Sequence, residues 1–155
     1  MDFRVTGLSP EPFKPLFGLS QAELRQRGAV RLVADRNPGF PDRIELRDAA
    51  VGESVLLVNF AHLQVASPFR STYAIYVREG AEERYDRVNE VPELLRSRVL
   101  SLRGFDADDM LCDADIVAGG AVEGLIERLL SSSRTAYVHV HYAKPGCFAA
   151  RIERA

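Results

Sequence analysis

The chain has 155 residues, of which 46% are apolar and 27% are charged. This length and composition are typical of one folded domain, which we expect over residues 1–155, and they exclude an intrinsically disordered chain. The formal net charge of −2 excludes the strongly basic surface that is typical of nucleic-acid-binding proteins, so no nucleic-acid partner is expected.

The sequence shows no pattern of a targeting signal and has only two cysteines. No apolar run reaches the ~18 residues that a membrane-spanning helix needs, and no basic segment followed by an apolar stretch opens the chain. The two cysteines, Cys112 and Cys147, are too few for a disulfide framework. These observations predict a cytoplasmic protein in a reducing compartment, with no membrane partner.

Alternation of apolar and polar residues with period two predicts strands along most of the chain. Residues 54–60 (SVLLVNF) are apolar on both faces as far as Asn59. We therefore expect this strand to be central, with residues 55–58 all buried. The predicted strands, in chain order, span residues 3–6, 30–35, 43–47, 54–60, 73–78, 99–105, 110–118, 137–142 and 147–153.

The first predicted helix has clear signals at both ends. Ser20 and Glu23 have the spacing of a capping box, in which each residue binds the backbone of the other. Gly28 suits the left-handed position that follows a helix. A shorter helical turn is predicted after Pro92, because proline favours the first turn of a helix.

A second helix is predicted over residues 120–131, where apolar side chains recur at the spacing of one buried face. Leu125 and Leu129 are expected to lie against the sheet. The residues expected to face water are Glu123, Glu127 and Arg128.

The order of these elements indicates the fold class. Many antiparallel-type strands with few helices are typical of an α+β fold. We expect a single domain built on a largely antiparallel mixed sheet or a partly open barrel, with two to three helices.

A set of short stretches recurs here in the order and spacing of a known family. They are AD at 34–35, PGFP at 38–41, DA at 48–49, GE at 52–53, SPFR at 67–70, IYVRE at 75–79, VH at 140–141 and GCFA at 146–149. Together they resemble the bacterial family known as domain of unknown function 1203, over essentially the whole chain. The family has no assigned activity, so the resemblance implies no catalytic residue and no cofactor.

The most informative segment is a C-terminal hairpin whose two strands meet at the turn KPG, residues 144–146. A three-residue loop is predicted because it gathers the apolar side chains of both strands on one face. In this register His141 pairs with Ala149, and His139 pairs with Arg151.

The other face of this hairpin is polar and carries His139, His141 and Arg151, with Cys147 near the turn. Two histidines in H-x-H spacing on a strand can reach one metal ion, with a cysteine thiolate as a third ligand. Alternatively, Cys147 is a nucleophile with His141 beside it as a base, which makes these two the candidate catalytic residues. The pattern is also compatible with the solvated side of an edge hairpin, so all three interpretations stay open.

Two connections outside the hairpin are candidates for the rim of a pocket. His62 follows the apolar strand and precedes a long connection that contains Arg70. Asp35 begins a loop rich in turn residues. We expect these three side chains to bind a ligand together with His139 and Arg151.

The sequence supports two classes of function. The first is a cytoplasmic protein that binds a small molecule or substrate at the C-terminal hairpin, with an enzymatic activity left open. The alternative is a non-catalytic interaction or oligomerisation module, for which a homodimer is one form. No motif assigns a cofactor or a metal. A pocket that joins the candidate residues favours the first class, and a flat, exposed histidine face favours the second.

Overall fold

The computed structural model describes residues 1–155 and has the predicted α+β fold. Its strands are β1 (Phe3–Thr6), β2 (Ala29–Val33), β3 (Ser54–Leu63), β4 (Ser71–Arg78), β5 (Asp86–Val88), β6 (Val99–Phe105), β7 (Leu111–Ala118), β8 (Tyr137–Tyr142) and β9 (Phe148–Arg154). Its helices are α1 (Gln21–Gln26), α2 (Glu93–Arg96) and α3 (Val122–Ser131). Short 3-10 turns cover Lys14–Leu16 and Gly119–Ala121.

The strands form two open sheets. The larger sheet has six strands in the order β5-β1-β9-β8-β6-β7, and the smaller has three in the order β2-β3-β4. Every paired strand runs antiparallel to its neighbour, as predicted. Strands β2, β3 and β4 pair only with one another and not with any strand of the larger sheet.

One face of the six-stranded sheet is covered by α2 and α3, which together enclose the largest apolar core. The buried side chains of α3 are Val122, Leu125, Ile126, Leu129 and Leu130. Glu127 and Arg128 are exposed, as predicted, whereas Glu123 is half-buried because it pairs with Arg96. No helix is long and apolar enough to cross a bilayer.

The smaller sheet packs against α1, which has the predicted ends. The Ser20 hydroxyl accepts from the Glu23 N–H at 3.2 Å, and the Glu23 carboxylate accepts from the Ser20 N–H at 2.8 Å. Gly28 follows the helix with φ +72°. The helix buries Leu24 completely, in a second core beneath β3 and β4.

The apolar strand β3 is central in its sheet, as predicted. Val55, Leu56 and Val58 are buried. Leu57 is only half-buried, so the expectation of burial along the whole run is wrong at this position. Leu57 lies on the face opposite to Leu56 and pairs with the exposed Val30, where the sheet is covered only in part.

Residues 43–47 form a compact turn rather than the predicted strand. The Asp42 carboxylate accepts from the backbone N–H groups of Ile44 at 3.2 Å and Glu45 at 2.7 Å. These bonds compete with strand pairing, as aspartate does in many turns. Leu46 then has φ +51°, which bends the chain further.

The assignment of the two faces of β3 is tested by a pair of neighbouring substitutions. Leu56→Ala removes a fully buried side chain and should lower the free energy of unfolding by about 2–5 kcal/mol. Leu57→Ala removes the same atoms from a half-exposed position and should cost less than about 2 kcal/mol. Denaturant unfolding followed by circular dichroism measures both values. Equal losses would contradict the assignment.

Candidate functional site

The C-terminal hairpin is closed by four residues, 143–146, and the predicted three-residue loop is wrong. The Tyr142 N–H donates to the Cys147 carbonyl at 3.0 Å, and the Gly146 N–H donates to the Tyr142 carbonyl at 2.8 Å. Gly146 has φ +81°, a left-handed conformation that glycine adopts without a steric penalty.

The register of the hairpin shifts between the turn and the middle of the strands. His139 pairs with Arg151, as predicted, but His141 pairs with Phe148 and not with Ala149. The extra residue of β9 is absorbed as a β-bulge or local irregularity. A bulge of this kind changes which face a side chain occupies on each side of it.

This shift separates Cys147 from the histidines. Phe148 lies with the histidines, whereas Cys147 packs in the apolar core with Tyr142. The Cys147 sulfur accepts from Arg43 Nη2 at 3.0 Å. The expectation that Cys147 shares a face with His139 and His141 is therefore wrong.

The three histidines of the chain lie together, packed around one phenylalanine. The ring centroids are 5.2 Å apart for His62 and His141, 6.3 Å for His62 and His139, and 6.4 Å for His139 and His141. The Phe148 ring stacks on His62 at 5.4 Å and 13°. We refer to His62, His139, His141 and Phe148 as the histidine cluster. It lies where the end of β3 meets the six-stranded sheet.

Two of the three histidines are almost completely closed to solvent, and His62 is half-buried. His139 and His141 are only 3% and 2% exposed. Burial lowers the pKa of His139 to about 3 and that of His141 to about 4, and it also lowers the pKa of His62. His141 Nδ1 donates to the Gly146 carbonyl at 2.9 Å, whereas the Nδ1 atoms of His62 and His139 are buried without a partner.

Two arginines flank the histidine cluster. Arg103 and Arg151 lie opposite His139 on the two neighbouring strands. The Arg151 guanidinium lies 4.0 Å from the centre of the Tyr137 ring and pairs with Glu153 at 3.1 Å. No group of three His, Cys, Asp or Glu side chains has an arrangement suited to a metal ion. The histidine cluster is therefore a set of packed aromatic rings flanked by two positively charged side chains.

The other predicted ligand-binding residues lie on exposed loops. Asp35 is exposed and pairs with Arg36 at 3.0 Å. Arg70 is exposed on the connection between β3 and β4, where its N–H donates to the Ser67 carbonyl at 3.0 Å. Neither side chain has a hydrogen bond or ion pair with the histidine cluster.

A concave site lies on the opposite side of the hairpin from the histidine cluster. It is a cavity of about 250 Å³, which we call the hairpin pocket. A second cavity of about 290 Å³ shares Arg98 and Pro145 with it and adds Lys144. The lining of the hairpin pocket includes Pro41, Arg43, Tyr76, Arg98, Tyr142 and Cys147.

Arg43 is a buried cation without a carboxylate partner. It is only 2% exposed. Its guanidinium donates to the carbonyls of Phe148 at 2.8 Å and Pro41 at 2.6 Å and to the Cys147 sulfur at 3.0 Å. No ion pair of the chain includes it. A charge removed from water without an ionic partner is destabilising, and an anion is the natural complement to it.

Tyr142 lies between two guanidinium groups. Its ring centre is 5.1 Å from Arg43 and 5.3 Å from Arg98. Arg98 is itself paired with both carboxylate oxygens of Asp48, at 2.7 and 3.0 Å. The Tyr142 hydroxyl is buried and has no hydrogen-bond partner. Burial raises the pKa of this phenol more than the two arginines lower it, so the hydroxyl keeps its proton.

The sequence did not predict most of this pocket. Arg43 lies in the predicted strand over residues 43–47, which does not form, and Tyr142 lies in the predicted strand over residues 137–142 without a predicted role in the site. The available signal was the turn-rich segment 38–41, which is followed closely by Arg43. Cys147 is the one predicted site residue that lines the pocket.

Comparison with known proteins identifies the family of the chain but not its activity. The chain belongs to the proteins of unknown function grouped as DUF1203, and the match covers residues 39–154. This range contains both the histidine cluster and the hairpin pocket. No curated protein and no solved structure matches the chain.

The buried histidines predict a pH dependence of stability. An unfolded histidine titrates near pH 6.5, whereas the pKa of folded His139 is about 3 and that of His141 about 4. Between the folded and unfolded pKa values, the unfolded chain binds more protons than the folded chain does. The stabilisation from the two neutral histidines is therefore complete above about pH 6.5 and is lost as the pH falls. Each histidine should contribute a slope of up to about 1.4 kcal/mol per pH unit.

A substitution isolates this contribution. His139→Phe keeps a ring of similar size in the aromatic cluster but cannot take up a proton. Urea unfolding of the wild type and the variant between pH 7 and 5 should give a shallower loss of stability for the variant. Parallel curves would show that His139 is not held neutral by burial.

Proposed function

We propose that this protein binds a small ligand bearing a carboxylate or phosphate group in the hairpin pocket. The observation that carries the proposal is the buried Arg43 guanidinium, which has no carboxylate partner and lies beside a cavity. A ligand oxyanion next to this cation compensates its charge. Charge-assisted hydrogen bonds of this kind are among the stronger ones in proteins.

The Tyr142 hydroxyl supports the same class of ligand. Because burial keeps the phenol protonated, it offers an O–H donor, and that donor has no partner within the protein. An unpaired buried donor lowers the stability of the free protein, and a ligand oxygen that accepts from it removes the penalty. The hydroxyl and Arg43 together provide donors to an oxyanion.

The neighbouring charges also favour an anion. Arg98 shares both cavities, and Lys144 lines the second one. Asp48 is the carboxylate that pairs with Arg98, so Arg43 and Lys144 are left as cations without an acidic partner. The cavities are small, about 250 and 290 Å³, and therefore suit a ligand of low molecular weight.

The histidine cluster is less suited to bind a ligand. Its imidazoles pack against Phe148, those of His139 and His141 are buried, and neither cavity includes any of the three. Its role in this proposal is to hold the two sheets together behind the pocket.

Tyr142→Phe gives the most specific test, because it should move stability and binding in opposite directions. Removal of the unpaired hydroxyl should raise the free energy of unfolding of the ligand-free protein by about 1 kcal/mol. The same change should weaken anion binding about tenfold, because one donor to the ligand is lost. Denaturant unfolding measures the first effect, and isothermal titration calorimetry with inorganic phosphate and with benzoate measures the second.

Tyr73→Phe is the matched control, because Tyr73 is 49% exposed on β4 and lies outside both cavities. It should leave both quantities unchanged. Saturable binding of phosphate alone or benzoate alone identifies the headgroup. If neither probe binds the wild type, the proposal is wrong and the interaction module becomes the better interpretation.

A further inference from the structure

We propose that Cys147 is a modification site that hydrogen peroxide oxidises to a sulfenic acid inside the hairpin pocket. This inference goes beyond ligand binding and does not depend on it. It rests on three features of the pocket: a cysteine that lines the cavity, a cation bonded to the sulfur of that cysteine, and an unpaired donor on a second residue of the lining.

The position of the sulfur is the first of these features. Cys147 is 7% exposed, and it lines a cavity of about 250 Å³ that is large enough for a peroxide molecule. Its sulfur accepts from Arg43 Nη2 at 3.0 Å. A cysteine in purely apolar surroundings is inert, whereas reactive cysteines have positively charged neighbours.

The unpaired hydroxyl of Tyr142 is an independent observation that points to a polar guest. Tyr142 is 4% exposed and, like Cys147, is one of the residues that line the cavity. Its hydroxyl is buried and has no partner. Hydrogen peroxide has two oxygens that accept hydrogen bonds. One oxygen placed near the sulfur leaves the other free to accept from the phenol, which assists its departure.

The reaction is balanced with peroxide as the only oxidant. The Cys147 sulfur attacks one peroxide oxygen with its lone pair, an S–O bond forms, and the O–O bond breaks. The departing hydroxide takes up the proton lost from the thiol and leaves as water. The sulfur is oxidised by two electrons and the peroxide is reduced by two, so thiol and peroxide give sulfenic acid and water.

The second cysteine provides both a contrast and an internal control. Cys112 lies on β7, and its thiol donates to the Gly104 carbonyl at 3.3 Å, so its bonding partner is a neutral acceptor. Strands β8 and β6 lie between β9 and β7 in the sheet. Three strand spacings across the sheet already separate the two cysteines by roughly 14 Å, and their offset along the strands adds to this, so they are too far apart for a disulfide. The product at Cys147 is therefore a sulfenic acid and not an intramolecular disulfide.

The test compares the two cysteines within one molecule. The reduced full chain is treated with hydrogen peroxide in the presence of dimedone, which traps sulfenic acids, and the labelled peptides are quantified by mass spectrometry. Cys147 should be labelled at least about tenfold faster than Cys112. In urea, where the pocket is lost, the two rates should become similar.

Variants separate the contribution of the pocket from that of the thiol. Cys147→Ser should abolish the labelled peptide, and Tyr142→Phe should slow labelling of Cys147 severalfold, whereas Tyr73→Phe should not. Labelling of Cys112 at an equal or higher rate, or absence of label at Cys147, would overturn the proposal. Phosphate and benzoate binding are measured on the reduced, unlabelled protein. Failure of the anion-binding proposal is therefore distinguished from failure of the proposal that Cys147 is oxidised.

Discussion

The burial of the Arg43 guanidinium is the interaction on which the site depends. Its side chain bonds to Pro41 next to the turn, and to Cys147 and Phe148 at the start of β9. Its backbone N–H donates to the carbonyl of Tyr76 in the smaller sheet. One residue therefore joins the central turn, the three-stranded sheet and the C-terminal hairpin. The cost of burying its charge is the physical reason to expect an anion beside it.

The C-terminal hairpin divides two chemically different environments. The shift in register near His141 places Phe148 with the neutral histidines and leaves Cys147 with Tyr142 and the arginines. On the first side, burial and nearby positive charge both disfavour protonation. On the second side, Arg43 and Arg98 flank Tyr142 beside the hairpin pocket. The same short hairpin thus supplies a tightly packed contact between sheets and one wall of a pocket.

Local patterns predicted the fold better than they predicted the site. The capping box at Ser20 and the central position of β3 depend on neighbouring residues, and both predictions were confirmed. The predicted burial of residues 55–58 in β3 was wrong only at Leu57. The predicted loop length of the hairpin was wrong. A local irregularity beyond the longer turn restores the pairing of His139 with Arg151, and the alternation of apolar and polar residues does not reveal such a compensation. Arg43 was missed because its partner Phe148 lies 105 residues away. The convergence of His62 with the hairpin histidines was expected, but not the burial of His139 and His141.

The claim that the buried cation attracts an anion is tested most directly by a crystal structure of the protein grown with sodium bromide. Bromide carries the required charge, fits a small cavity and is located by its anomalous scattering. The account predicts an anomalous peak in the hairpin pocket within hydrogen-bond distance of the Tyr142 hydroxyl and the Arg43 guanidinium. A pocket occupied by water alone, with bromide bound only at exposed arginines elsewhere, would contradict it.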